Sequence, residues 1–194
     1  MPMIPLTFLM ALPMAGLGVW LLLRPHQESR LPWLAAFLIW TALHFTLIGM
    51  RYGYDANWVL SVQHFSGVLV PPLAWLAFAN PRPALRHLLH FGWPAVIWGI
   101  LRLAPDYLDI GLALITFGYM TLLVAHGLRG TDGLPRIPFR MLRPMQTGLW
   151  AATALLLVSG VTDALIALDL AQTGGTETEK IVAHAVLLSA GLLP

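Results

Sequence analysis

The feature that most constrains this chain is a succession of apolar stretches, each about as long as a bilayer is thick. A hydrocarbon core of about 30 Å needs roughly 20 apolar residues in one helix. Six stretches meet that length: Met3–Leu23, Leu31–Met50, Trp58–Ala79, Leu85–Leu103, Tyr107–Leu128 and Thr147–Leu168. A seventh, Ile181–Pro194, is apolar but stops at about two-thirds of a crossing. The expected fold is therefore all-α: a polytopic transmembrane helical bundle of seven spans, the seventh truncated, forming one domain over residues 1–194.

Composition supports lipid as the solvent. Of the 194 residues, 58% are hydrophobic and 10% charged, against roughly 25% charged in a soluble domain. So few charges cannot cover a water-facing surface. The absence of cysteine excludes disulfides, thiolate metal sites and thiol catalysis. The first basic residue, Arg24, follows the first apolar stretch, so Met1–Leu23 reads as a span and not as a cleavable signal peptide. Short breaker-rich linkers separate the spans, as at Asn80-Pro81-Arg82-Pro83 and Gly130-Thr131-Asp132-Gly133. Pro13, Pro71, Pro72 and Pro94 fall inside spans and predict kinks there.

The basic residues give an orientation. With the N-terminus outside, the inner connections hold eight arginines: Arg24, Arg30, Arg82, Arg86, Arg129, Arg136, Arg140 and Arg143. The outer connections hold three basic residues, Arg51, Arg102 and Lys180. That excess is what the positive-inside rule requires, and seven spans then put the C-terminus in the cytoplasm. The expected location is a bacterial inner membrane. The longest connection, Gly130–Gln146, carries Arg136, Arg140 and Arg143 among apolar residues. Pro135, Pro138 and Pro144 argue against a long helix there, so it is expected to lie on anionic headgroups.

Ionisable side chains within lipid are costly and mark candidate functional sites. His44 lies six residues before the outer end of its span, and His64 six after the start of the next. Asp163 lies five residues before the end of span six, and His184 three after the start of span seven. At 1.5 Å per residue all four sit about 5–9 Å below the outer boundary. Three imidazoles and one carboxylate could thus line one outer-leaflet cavity, binding a small molecule. The three histidines, His44, His64 and His184, also suit a divalent metal or copper, with a bis-imidazole haem the less favoured cofactor. The same residues serve equally well as hydrogen-bonding links between helices. Ser159, Gly160, Asp163, Ala164 and Ala167 form a small-residue face that lets another helix come close. His87, His90 and His126, beside arginines near the inner boundary, read as interfacial groups reaching the headgroups.

No nucleophile elbow, phosphate-binding loop, dinucleotide fingerprint or His-Glu-x-x-His occurs, and the chain is not expected to be an enzyme. Val70–Asn80 (Val-Pro-Pro-Leu-Ala-Trp-Leu-Ala-Phe-Ala-Asn) and Leu157–Leu170 (Leu-Val-Ser-Gly-Val-Thr-Asp-Ala-Leu-Ile-Ala-Leu-Asp-Leu), with Gly174-Gly175 after it, carry a resemblance. They resemble the N-terminal membrane region of bacterial AraC-type helix-turn-helix transcriptional regulators. The resemblance implies a sensor that signals to a cytoplasmic DNA-binding domain, and no helix-turn-helix lies within these residues. The partners it implies are the bilayer, a small ligand or metal ion, a second copy in a homodimer, and DNA only through the absent domain. A small membrane metalloprotein or b-type cytochrome using the same histidines is the alternative reading.

Overall fold

A computed structural model describes residues 5–23, 31–79, 85–104, 107–130 and 139–192. Seven α-helices follow one another: α1 (Leu6–Leu23), α2 (Leu31–Tyr54), α3 (Leu60–Ala79), α4 (Trp93–Leu103), α5 (Leu108–Gly127), α6 (Phe139–Thr173) and α7 (Thr178–Leu192). A 3₁₀ turn, Asn57–Val59, leads into α3, and a longer 3₁₀ segment, Leu85–Gly92, precedes α4. No strand occurs among the described residues. Five helices, α1, α2, α3, α5 and α6, are long and apolar enough to cross a membrane. They make this a membrane protein of the helical-bundle type.

The outward surfaces agree with that assignment. Leu9, Leu12 and Leu23 on α1, Leu114 and Leu122 on α5, and Leu157, Leu165 and Leu168 on α6 are all exposed. Such helices are apolar on nearly every side, and such a surface is stable only against hydrocarbon.

Two of the seven expected spans differ from the sequence reading. Over Leu85–Leu103 the backbone is 3₁₀ for eight residues and α-helical for eleven. Pro94 does not kink a continuous helix. It occupies the first turn of α4, where a missing N–H costs nothing and a fixed φ helps to start the helix. The last helix, α7, begins at Thr178 and has fifteen residues. Within the Gly130–Gln146 connection, α6 already begins at Phe139 and runs through Pro144 for 35 residues. Pro144 costs that helix one bond, to the Arg140 carbonyl, near an end where bonding is incomplete anyway. At 1.5 Å per residue α6 is about 52 Å long, well beyond the hydrocarbon thickness. Its first two turns and its last turn therefore extend past the apolar stretch Thr147–Leu168.

The contacts divide the chain into two compact units, Met1–Phe91 and Gly92–Pro194. In the first unit α2 packs on both α1 and α3. Glycines set the α1–α2 approach. A Cβ at Gly18 would come within 2.7 Å of Ile39 Cγ1 and 3.1 Å of the Ala35 carbonyl oxygen, and one at Gly49 would collide with the Thr7 hydroxyl. Phe37 of α2 meets Phe78 of α3 edge to face at 6.0 Å. In the second unit α5 packs on α4 and α6, and α6 on α7. A Cβ at Gly160 would stand 3.0 Å from the Phe117 ring, so the small-residue face of α6 admits α5 closely, as the sequence implied. The Trp93 indole donates to the Tyr119 hydroxyl at 3.0 Å and links α4 to α5.

Candidate functional site

The first unit holds a polar cluster between α2 and α3. His44 Nδ1 lies 2.8 Å from Ser66 Oγ. Ser66 Oγ donates its one hydrogen to the Gln63 carbonyl oxygen at 2.9 Å. A serine hydroxyl has a single proton; with that proton on the Gln63 carbonyl, Ser66 accepts from His44, whose own proton is then on Nδ1. The neutral ring then presents a lone pair at Nε2. One turn earlier on α2, the Trp40 indole donates to the Ser66 carbonyl oxygen at 2.8 Å. The backbone of Gly67 makes room for the imidazole: a Cβ there would stand 3.1 Å from His44 Cε1. Gln63 Oε1 is buried with no hydrogen-bond partner. His64, on the next position of α3, is near enough to His44 for the two rings to interact electrostatically. Two of the four expected site residues, His44 on α2 and His64 on α3, belong to this unit.

Asp163 and His184 belong to the second unit. Asp163 is half-buried on α6, one turn after Gly160, and His184 is exposed on α7. The His184 ring is held by its own helix, with Nδ1 2.7 Å from the Lys180 carbonyl oxygen. That carbonyl can only accept, so His184 too carries its proton on Nδ1. Within neither unit do three or more described His, Asp or Glu residues gather closely enough to hold a metal ion.

Three features escaped the sequence reading. The first is Asp169, counted there only as an outer acidic residue. It is 7% exposed, and it ties α6 to α7. Its Oδ2 accepts the Thr178 hydroxyl at 2.8 Å and the Glu177 amide at 3.1 Å, while Oδ1 accepts the Thr173 hydroxyl. Gly174 and Gly175 take the positive φ values of 73° and 92° that let the chain reverse there. On the outside of this turn Glu177 bridges Lys180 at 2.7 Å. That hydrogen bond and charge hold the Lys180 ammonium above the usual lysine range.

The second is the burial of His87, which is 4% exposed. Its ring lies 6.3 Å from that of His90, nearly parallel, and His90 in turn packs against Trp75 at 5.1 Å. A 3₁₀ segment eclipses residues three apart, which is why the two imidazoles fall on one edge. The third is Trp40, whose bond to the α3 backbone no hydropathy pattern could reveal.

No known protein family, curated protein or solved structure matches this chain. The arrangement of side chains therefore carries the functional argument. Of the arginines assigned to lipid headgroups, Arg136 lies outside the described residues. Arg140 lies in the first turn of α6, its side chain outside the described set, and Arg143 is exposed in the next turn.

Proposed function

We propose that this chain is the sensing module of a bacterial inner-membrane transcription regulator. A small molecule enters from the outer leaflet, and the change in helix packing reaches a cytoplasmic DNA-binding domain that these residues do not contain. The observation that carries this reading is the His44–Ser66 hydrogen bond. It holds one imidazole in a defined tautomer, within helices otherwise built for lipid, and leaves Nε2 available to a ligand. Anchoring one ring nitrogen so that the other can serve a ligand is how histidine sites are commonly built. In this reading His64 completes the outer site.

Seven crossings belong to the same proposal. Eight 3₁₀ residues at about 2.0 Å each and eleven α-helical residues at about 1.5 Å each give Leu85–Leu103 a contour near 32 Å, enough for a bilayer core. With the N-terminus outside, the arginine-rich connections face the cytoplasm. The resemblance of Val70–Asn80 and Leu157–Leu170 to AraC-type regulator membrane regions supplies the output. Coupling of about 1–3 kcal/mol between two helix arrangements suffices for such a signal.

A reporter assay tests the proposal. Joined to a helix-turn-helix output domain, the module should give a transcriptional response that His44→Ala removes while membrane insertion is unchanged. A response that survives both His44→Ala and Asp163→Asn leaves these residues as links between helices and ends this reading. Haem absorbance or stoichiometric metal in the purified protein would favour the metalloprotein alternative.

A further inference from the structure

In the α2–α3 cluster the donors of Ser66, Trp40 and His44 are engaged, and the Gln63 amide N–H groups are not among the buried atoms without a partner. The Ser66 hydroxyl hydrogen goes to the Gln63 carbonyl, the Trp40 N–H to the Ser66 carbonyl, and the His44 Nδ1–H to Ser66. What remains on these groups is acceptors. His44 Nε2 carries a lone pair, and Gln63 Oε1 is buried without a partner. Pro71 has no N–H, so it cannot supply the usual helical donor to the Gly67 carbonyl. Gln63 and Gly67 stand one turn apart on α3 and share a face, and the His44 ring covers that face at Gly67. His64 also interacts with neighbouring groups. Acceptors left unpaired in a low-dielectric place are expensive. A carboxylate or phosphate would add like-signed oxygens and worsen the mismatch.

We infer that this site takes the hydrogen-bond donors of a ligand head, an ammonium or hydroxyl group carried on an apolar body, and rejects anionic heads. This deepens the sensing proposal and rests on it. The apolar body follows from the surroundings, since the site lies between two helices long and apolar enough to cross a membrane.

The test uses the purified full chain in neutral detergent near pH 7.5, with decylammonium, decanol and decanoate as probes of matched length. At ten times its dissociation constant, a donor-headed probe should raise the melting temperature by about 3–6 °C. Decanoate at the same concentration should not. Gln63→Leu removes an acceptor that has no partner, so it should leave the ligand-free protein as stable as before or more so, yet abolish the shift. His44→Phe should abolish the shift as well. A Gln63→Leu protein that melts lower and still responds to decylammonium would overturn the inference. So would a shift with zinc alone. A shift with decanoate that depends on His44 would overturn the donor assignment and leave the sensing proposal standing. Silence of every probe, zinc included, removes both.

Discussion

Thr178 donates its hydroxyl to Asp169 Oδ2 across 2.8 Å, tying the first residue of α7 to the end of α6. The same carboxylate oxygen caps the Glu177 amide, one of the donors that a helix N-terminus otherwise leaves without an intrahelical partner. Helix α7 is short, at fifteen residues, and it holds its place through this turn and its packing on α6. In the proposed signalling route, Asp169 is therefore the fixed point about which α7 moves.

Asp169→Ala should loosen the start of α7 without unfolding α6. Hydrogen exchange at the Glu177 and Thr178 amides should accelerate by about tenfold, with Asp169→Asn in between because its amide oxygen can still accept. Unchanged exchange at both amides in Asp169→Ala would mean that the turn is held by Gly174 and Gly175 alone.

The His44–Ser66 bond should be measurable as a coupling. Ser66→Ala removes the acceptor for His44 Nδ1–H and should cost about 0.5–1.5 kcal/mol. A double-mutant cycle with His44→Ala should return a coupling near 0.6 kcal/mol, the average for hydrogen bonds between membrane helices. Additive effects would show that the two side chains do not stabilise each other.

Glycines two residues apart on α1 should behave oppositely. A Cβ at Gly18 meets the Ala35 carbonyl oxygen and Ile39, whereas one at Gly16 meets nothing within 4 Å. Gly18→Ala should destabilise by about 1–3 kcal/mol, since helix backbone cannot give way cheaply. Gly16→Ala should be neutral or stabilising by up to about 1 kcal/mol. Equal effects in a reversible unfolding assay would contradict the close α1–α2 packing at Gly18.

These pairs show how far the sequence was legible. Five membrane-length helices could be read because apolar length is a one-dimensional property, and α3 and α5 begin and end within two residues of expectation. The split of Leu85–Leu103 was not legible, because a 3₁₀ and an α backbone can carry the same apolar residues. Pro94 was the available signal, and it marks a helix start as readily as a kink. His44 and His64 were singled out by their position along the apolar stretches, which the sequence does record. Ser66, Gln63 and Trp40 were not, since neutral polar residues are common in membrane helices and only three-dimensional pairing distinguishes them. Asp169 was missed because its partners, at 173, 177 and 178, depend on a chain reversal that hydropathy does not specify.

Arg136, Arg140 and Arg143 should hold anionic lipid. The extension of α6 below Thr147 puts Arg140 and Arg143 on a helix that runs past the apolar stretch, and each basic side chain near such a surface is worth about 1 kcal/mol. Replacing all three by Gln should reduce co-purified anionic lipid and lower melting temperature only in anionic vesicles. Identical lipid retention in the triple variant would leave the connection a plain linker.

The orientation has a direct chemical test, because the chain contains no cysteine and any introduced thiol is the only one. Gly133→Cys lies in the arginine-rich connection before α6. Glu179→Cys lies in the exposed first turn of α7, beyond the opposite end of α6. One membrane-crossing helix separates the two sites, so a membrane-impermeant maleimide applied to intact spheroplasts must distinguish them. With eight arginines on the inner connections against three basic residues on the outer, Glu179→Cys should label at once and Gly133→Cys only after permeabilisation. The reverse pattern would invert the molecule. It would put His44 and His64 near the cytoplasmic leaflet and remove the outer-leaflet route for a ligand. Labelling of both sites in intact spheroplasts would mean that α6 does not cross the membrane, and the span assignment would fall with it.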